Sequence, residues 1–163
     1  MNALNKIMIG VGLIAAPLAP AAAQRMTGST FVANAGASDL YEKTSSQLVL
    51  RSSRNRQVRD FAQQMVADHS KSTANVTRAA RAGGVRAAPP RLNAEQSRMV
   101  AQLRRANGTQ RDRLYIQQQK TAHRQALALH SGYARSGTIA PLRHAAGEVA
   151  PVVRHHIAML ERM

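Results

Sequence analysis

The chain has no cysteine among its 163 residues. That excludes disulfides, thiolate metal sites, cysteine nucleophiles and a lipidated amino-terminal cysteine in one step. Tryptophan is also absent, and the aromatics reduce to Phe31, Phe61, Tyr41, Tyr115 and Tyr133. So few rings provide no stacking platform for nucleic-acid bases. Carboxylates are scarce too: eight Asp and Glu face 23 Lys and Arg. No Gly-x-Ser-x-Gly elbow or glycine-rich phosphate loop occurs, and paired carboxylates for glycoside hydrolysis would need a cleft that a simple bundle seldom offers. The expectation is a protein that is not an enzyme.

What is present begins with a leader. Lys6 precedes the apolar run Ile7–Ala16, and Ala21-Ala22-Ala23 supplies small residues before Gln24. This reads as a cleavable signal peptide over residues 1–23, leaving a domain over 24–163. The run falls short of the roughly 20 residues that span a bilayer core, and Pro17 and Pro20 interrupt the chain just after it. No later stretch is apolar enough to span a membrane, so the expected location is the periplasm or outside the cell, in soluble form. Without disulfides, such a domain relies on its core alone.

The formal charge is +15, falling to +14 when Lys6 leaves with the leader. This favours an acidic envelope surface or polysaccharide as partner, while export argues against physiological nucleic acid. The arginines gather at Arg51, Arg54, Arg56 and Arg59, and again at Arg104, Arg105, Arg111 and Arg113. A third group, Arg78, Arg81, Arg86 and Arg91, flanks Gly83-Gly84. A solvated basic face without a partner is the plainer reading of the same residues.

Helical signals dominate, with no useful run of strand-like alternation. Ser29 or Thr30 is placed to cap a helix over about 31–53. A second is expected over 56–82, with Val58, Phe61, Met65, His69, Ser72 and Val76 on one face and Gly83-Gly84 at its end. Asn93 and Gln96 form a capping-box pair opening a third near Ala94, which carries Met99, Val100 and Leu103. Asn107-Gly108 breaks the pattern before a helix over about 109–134 with Tyr115, Ile116, His123, Leu127 and His130 along one side. The last starts near Ile139, with the stripe Leu142, Ala145, Val149, Val152, His156 and Met159. Pro151 should kink or split it. The implied architecture is all-α: an antiparallel four-helix bundle with a short helical insert and a Pro-kinked last helix.

Several of these residues also fall in a familiar order. Phe31 is followed eleven residues later by Glu42, then by the stretch Val58–Ser70, which holds Met65-Val66-Ala67-Asp68-His69. Asp112, Tyr115 and His123 come next, and Pro151 precedes Val153-Arg154-His155-His156-Ile157. In these features, from about Thr30 to Leu160, the chain resembles the DUF4142 family of exported bacterial proteins. That resemblance implies a ferritin-like helical bundle and little about activity; an envelope or stress-related binding role is plausible for such a family.

His69, His123 and His156 each lie on the apolar stripe of a different helix, and Glu42 lies on the first. In a bundle the four can meet at one level. Imidazoles and a carboxylate suit a single ion of zinc, iron, manganese or copper, with Asp68, Asp112 and Tyr115 as partners that orient the rings. The plainer reading is a metal-free network in which Glu42, Asp68, Asp112 or Tyr115 hydrogen-bond the histidines and fix helix register. A di-iron ferroxidase is disfavoured: Val66, Lys120 and Val153 stand three residues before His69, His123 and His156, where the ferritin-like pattern needs Glu. His130, His144 and His155 are expected nearer the surface, and the five methionines left after the leader are expected as core filling.

Overall fold

The computed structural model describes residues 25–163, so the leader lies outside the described residues. Five helices run in order: α1 (Gly28–Leu50), α2 (Arg56–Ala82), α3 (Ala94–Arg105), α4 (Gly108–Ser136) and α5 (Ala140–Leu160). The main packing pairs are α1 with α2, α2 with α5, α5 with α4, and α4 with α1, which closes a ring of four. The short turns 51–55 and 137–139 make α1/α2 and α4/α5 antiparallel. Side-chain pairs such as Tyr41–Gln118 and Ser46–Tyr115 run in opposite sequence directions, so α1/α4 is antiparallel too. Asn75–Glu148 and His156–Asp68 show the same for α2/α5.

Because α2 and α4 lie diagonally and run the same way, residues 83–107 must return along the bundle's length. Helix α3 sits in this crossover and packs on α1 and α4, burying Val100 and Leu103. One long crossover is the connection that ferritin-like bundles use. Local chemistry sets its ends. Val85 N–H bonds Ala80 O at 2.8 Å and Gly84 N–H bonds Arg81 O at 3.1 Å, while Gly84 takes φ +69°. This pairing ends α2 in a left-handed residue that glycine adopts without a Cβ penalty. The capping box of Asn93 and Gln96 opens α3.

Three expectations shift. The first helix begins at Gly28, because Thr27 Oγ1 accepts from Thr30 N–H and so acts as the cap. It stops at Leu50, and Ser53 instead turns inward to donate to Asp112 at 2.9 Å. Helix α5 runs through Pro151 without splitting. The ring there forfeits only the bond to the carbonyl of Gly147, four residues back on an exposed face. Val152 is 41% exposed and Val153 takes its place in the core.

The core falls into layers. At one end Phe31, Ala80, Tyr133 and Leu142 pack together, with Phe31 and Tyr133 stacked at 4.1 Å. At the other end Val49, Phe61, Met65, Leu103, Tyr115 and Leu160 fill the space. Between these apolar layers lies a polar one.

Candidate metal centre

The middle layer takes one residue from each helix of the ring: Glu42 from α1, His69 from α2, His123 from α4 and His156 from α5. All four are at most 3% exposed. The imidazoles form a nearly equilateral triangle, with centroids 5.6 Å apart for His69–His123, 5.7 Å for His69–His156 and 5.3 Å for His123–His156. One ring nitrogen from each lies within 4.8 Å of the others.

The partners of the outward nitrogens fix the tautomers. His123 Nδ1 lies 3.0 Å from Gln119 O and 3.6 Å from Glu42 Oε1. Both are acceptors, so Nδ1 carries the proton and Nε2 a lone pair. His156 Nε2 lies 3.2 Å from Asp68 Oδ2; it carries the proton, and Nδ1 is left with a lone pair. Those two lone-pair nitrogens face each other at 3.3 Å. His69 Nδ1 donates to Asp39 Oδ1 at 2.8 Å, and its Nε2 is buried with no partner.

Electrostatics sharpen the picture. Burial, helped by the neighbouring histidines, pushes His123 down to about 3. Burial likewise pushes His156 down to about 4, against the pull of Asp68. Neither ring therefore holds the extra proton at neutral pH that would bridge the facing lone pairs. Burial also works to lower His69, yet the Asp39 hydrogen bond and the charges of Glu42, Asp39 and Asp68 outweigh it and raise the ring above its ordinary value. Glu42 is driven up to about 7 by burial, partly offset by His69, and neither of its oxygens has a hydrogen-bond partner.

This arrangement fits a cation. Nitrogens about 2.05 Å from a tetrahedral ion sit about 3.4 Å apart, which is the spacing His123 and His156 already show. The two distances from His69 are each at most 4.8 Å, so each shortens by no more than about 1.4 Å to reach the same spacing. Each imidazole is held from behind by an oxygen, the outer-shell pattern that fixes metal-binding histidines.

The structure brings some of the expected residues to the layer and leaves others away from it. Glu42 reaches the layer with Oε1 beside His123 Nδ1 at 3.6 Å, next to the three-nitrogen set. Asp68 does orient His156. Asp112 does not reach the cluster: it sits at the α1–α2 turn, accepting from Ser53. Tyr115 lies two turns before His123 on the same helix and bonds Ser46 at 2.8 Å. Both lie too far along α4 to touch a histidine. His130, expected near the surface, is 2% exposed because α1 covers it, with its ring edge-on to Phe31. Asp39 was missed; no apolar stripe on α1 marks its buried face, and its spacing of three from Glu42 was the sole signal.

The arginine clusters divide. Arg59 Nη1 donates to Leu50 O at 2.7 Å and Ser53 O at 3.1 Å, closing the end of α1. Arg111 Nε donates to Leu103 O at 2.9 Å and Ala106 O at 2.8 Å, closing α3. Both are half-buried and committed to carbonyls, so they leave the proposed polyanion surface. Arg51, Arg54, Arg56, Arg104, Arg105 and Arg113 are exposed.

A ring of four antiparallel helices around a buried histidine layer defines the class of protein. The chain belongs to the DUF4142 family, a domain of unknown function whose pattern matches residues 15–163. Two solved structures share the fold. A DUF305 fragment from Deinococcus radiodurans has a TM-score of 0.70 at 18% identity, over 82% of this chain and 92% of that one. A DUF305 protein from Streptomyces coelicolor, provisionally described as secreted, has a TM-score of 0.66 at 14% identity, over 82% and 88%. No curated protein matches.

Proposed function

We propose that this chain is an exported, non-catalytic helical bundle that holds one divalent transition-metal ion between His69 Nε2, His123 Nε2 and His156 Nδ1. One observation carries the reading: two buried neutral imidazoles point lone pairs at each other across 3.3 Å. Facing acceptors repel, and a shared cation turns that repulsion into attraction. Three imidazoles without a thiolate suit zinc, copper, iron or manganese. Glu42 lowers the net charge of the assembly, and Asp39, Gln119 O and Asp68 hold the rings. Burial of all three rings leaves no face for an organic substrate, which favours storage, delivery or scavenging over catalysis.

Export rests on the leader and agrees with the description of the Streptomyces neighbour. Among the described residues no helix is long and apolar enough to cross a membrane. The test is elemental analysis of untagged protein prepared without chelators. About one equivalent of metal in the wild type, absent from a folded His123→Ala variant, is the expected result. Protein that stays metal-free after incubation with zinc, copper, iron and manganese salts refutes it.

A second reading concerns the surface. Asp39, Glu42 and Asp112 are buried, so the exterior is more cationic than composition alone indicates. That charge suits binding of an acidic polysaccharide or anionic membrane through Arg51, Arg54, Arg56, Arg104, Arg105 and Arg113. Retention on an anionic resin should weaken steeply with salt. Neutralising those six without loss of retention defeats the reading.

A further inference from the structure

We infer that the groove between α2 and α5 is the portal through which a divalent cation reaches the histidine layer, with Asp68 and Glu148 as its carboxylates. This rests on the metal-binding reading above and assigns the route. The groove holds a pocket of about 160 Å³ lined by Asp68, Lys71, Ser72, Asn75, Glu148 and Val152 among others. Two of the chain's eight acidic residues line this one small opening.

Asp68 connects the pocket to the site. It is 20% exposed; its Oδ1 faces Lys71 Nζ at 3.3 Å and its Oδ2 faces buried His156 at 3.2 Å. The wall between solvent and the metal centre is thus one imidazole thick. Ser72 lines the pocket and is only 8% exposed, and its Oγ lies just beneath the wall, buried without a hydrogen-bond partner. Glu148 is held at the rim by Asn75 Nδ2 at 2.8 Å and by the nearby His144 ring. Lys71 opposes the traffic: an arriving cation displaces it from Asp68 Oδ1.

The other openings suit a cation less. The α4/α5 groove is lined by Lys120 and Arg124 beside Glu161. The α1/α4 groove is wider, at about 450 Å³, but Arg91 offsets Glu95 there and Tyr41, Ala122 and Ala126 are among its lining residues. Between α1 and α2 only about 60 Å³ remains under Ala87, Ala88 and Pro90, and Asp39 behind it is 2% exposed.

The experiment mixes Co²⁺ with metal-free protein and follows the visible absorption of the bound ion over time, then at equilibrium. Lys71→Glu should load about fivefold faster, whereas Arg124→Glu, with the same change in net charge, should leave the rate within twofold. Glu148→Gln should load about threefold slower. Final affinity should stay within about twofold in all three, because none touches His69, His123 or His156. Equal acceleration by Lys71→Glu and Arg124→Glu, or an unchanged rate in Glu148→Gln, overturns the portal while wild-type binding keeps the metal centre. Absence of Co²⁺ binding by the wild type overturns both.

Discussion

Acidification of the metal-free protein from pH 7 to pH 5 should destabilise it, by an amount set by its buried imidazoles. Burial pushes His123 to about 3 and both His130 and His156 to about 4, against about 6.5 in the unfolded chain. A lowered histidine value means that the unfolded state takes up protons first. The stability is therefore present above about pH 6.5 and is lost as pH falls towards 4. At pH 5 each ring costs about 2 kcal/mol, or about 6 kcal/mol for the three. Glu42 works the other way. Its folded value of about 7 lies above the unfolded one, so protonation between 7 and 5 returns about 2 kcal/mol. His69, also raised, returns part of the remainder. The net loss, at most about 4 kcal/mol, corresponds to a fall of roughly 10 °C in melting temperature for a domain of this size. Thermal unfolding followed by far-ultraviolet circular dichroism in chelator-treated protein measures it. His130 lies outside the histidine layer, so His130→Gln should shrink the pH effect by about 2 kcal/mol. A melting temperature that is unchanged or higher at pH 5 refutes the neutral, buried state assigned to these rings.

Three other perturbations probe separate parts of the molecule. Asp39→Asn removes the charge behind His69, and competition titration should show metal affinity falling about 10- to 100-fold with helicity retained. Gly137→Ala places a Cβ 2.5 Å from the Tyr133 ring, so chemical denaturation should register a loss of about 1–3 kcal/mol. Asn93→Ala deletes the capping box of α3 and should cost about 1 kcal/mol by the same assay, without changing metal content.

The sequence by itself determined the helices and most of their inward faces. In α2 the expected limits coincide with those observed, and Val58, Phe61, Met65, His69, Ser72 and Val76 are all buried. A long apolar stripe at helical spacing leaves one way to face a core, and Gly84 and the Asn93–Gln96 pair mark ends through local bonds alone. The three cluster histidines were legible for the same reason: each occupies an apolar stripe. Helix α1 shows the limit. It is covered by α2, α3 and α4 and buries Asp39, Glu42, Ser45 and Ser46, so it carries no simple stripe. Its polar inward residues look like surface until their neighbours are known.

Tertiary structure alone decided the rest. The layer that meets His123 is set by how far α1 slides along α4, a quantity that no local spacing encodes. The packing of α1 on α2 and of α2 on α5 gave Asp39 to His69 and Asp68 to His156, and the register of α4 left Asp112 and Tyr115 near the other end. Packing also turned Arg59 and Arg111 from surface charge into caps for helix carbonyls. Periodicity is a property of one helix and can be read from its residues; convergence belongs to four helices at once, and only their packing sets the distances on which metal chemistry depends.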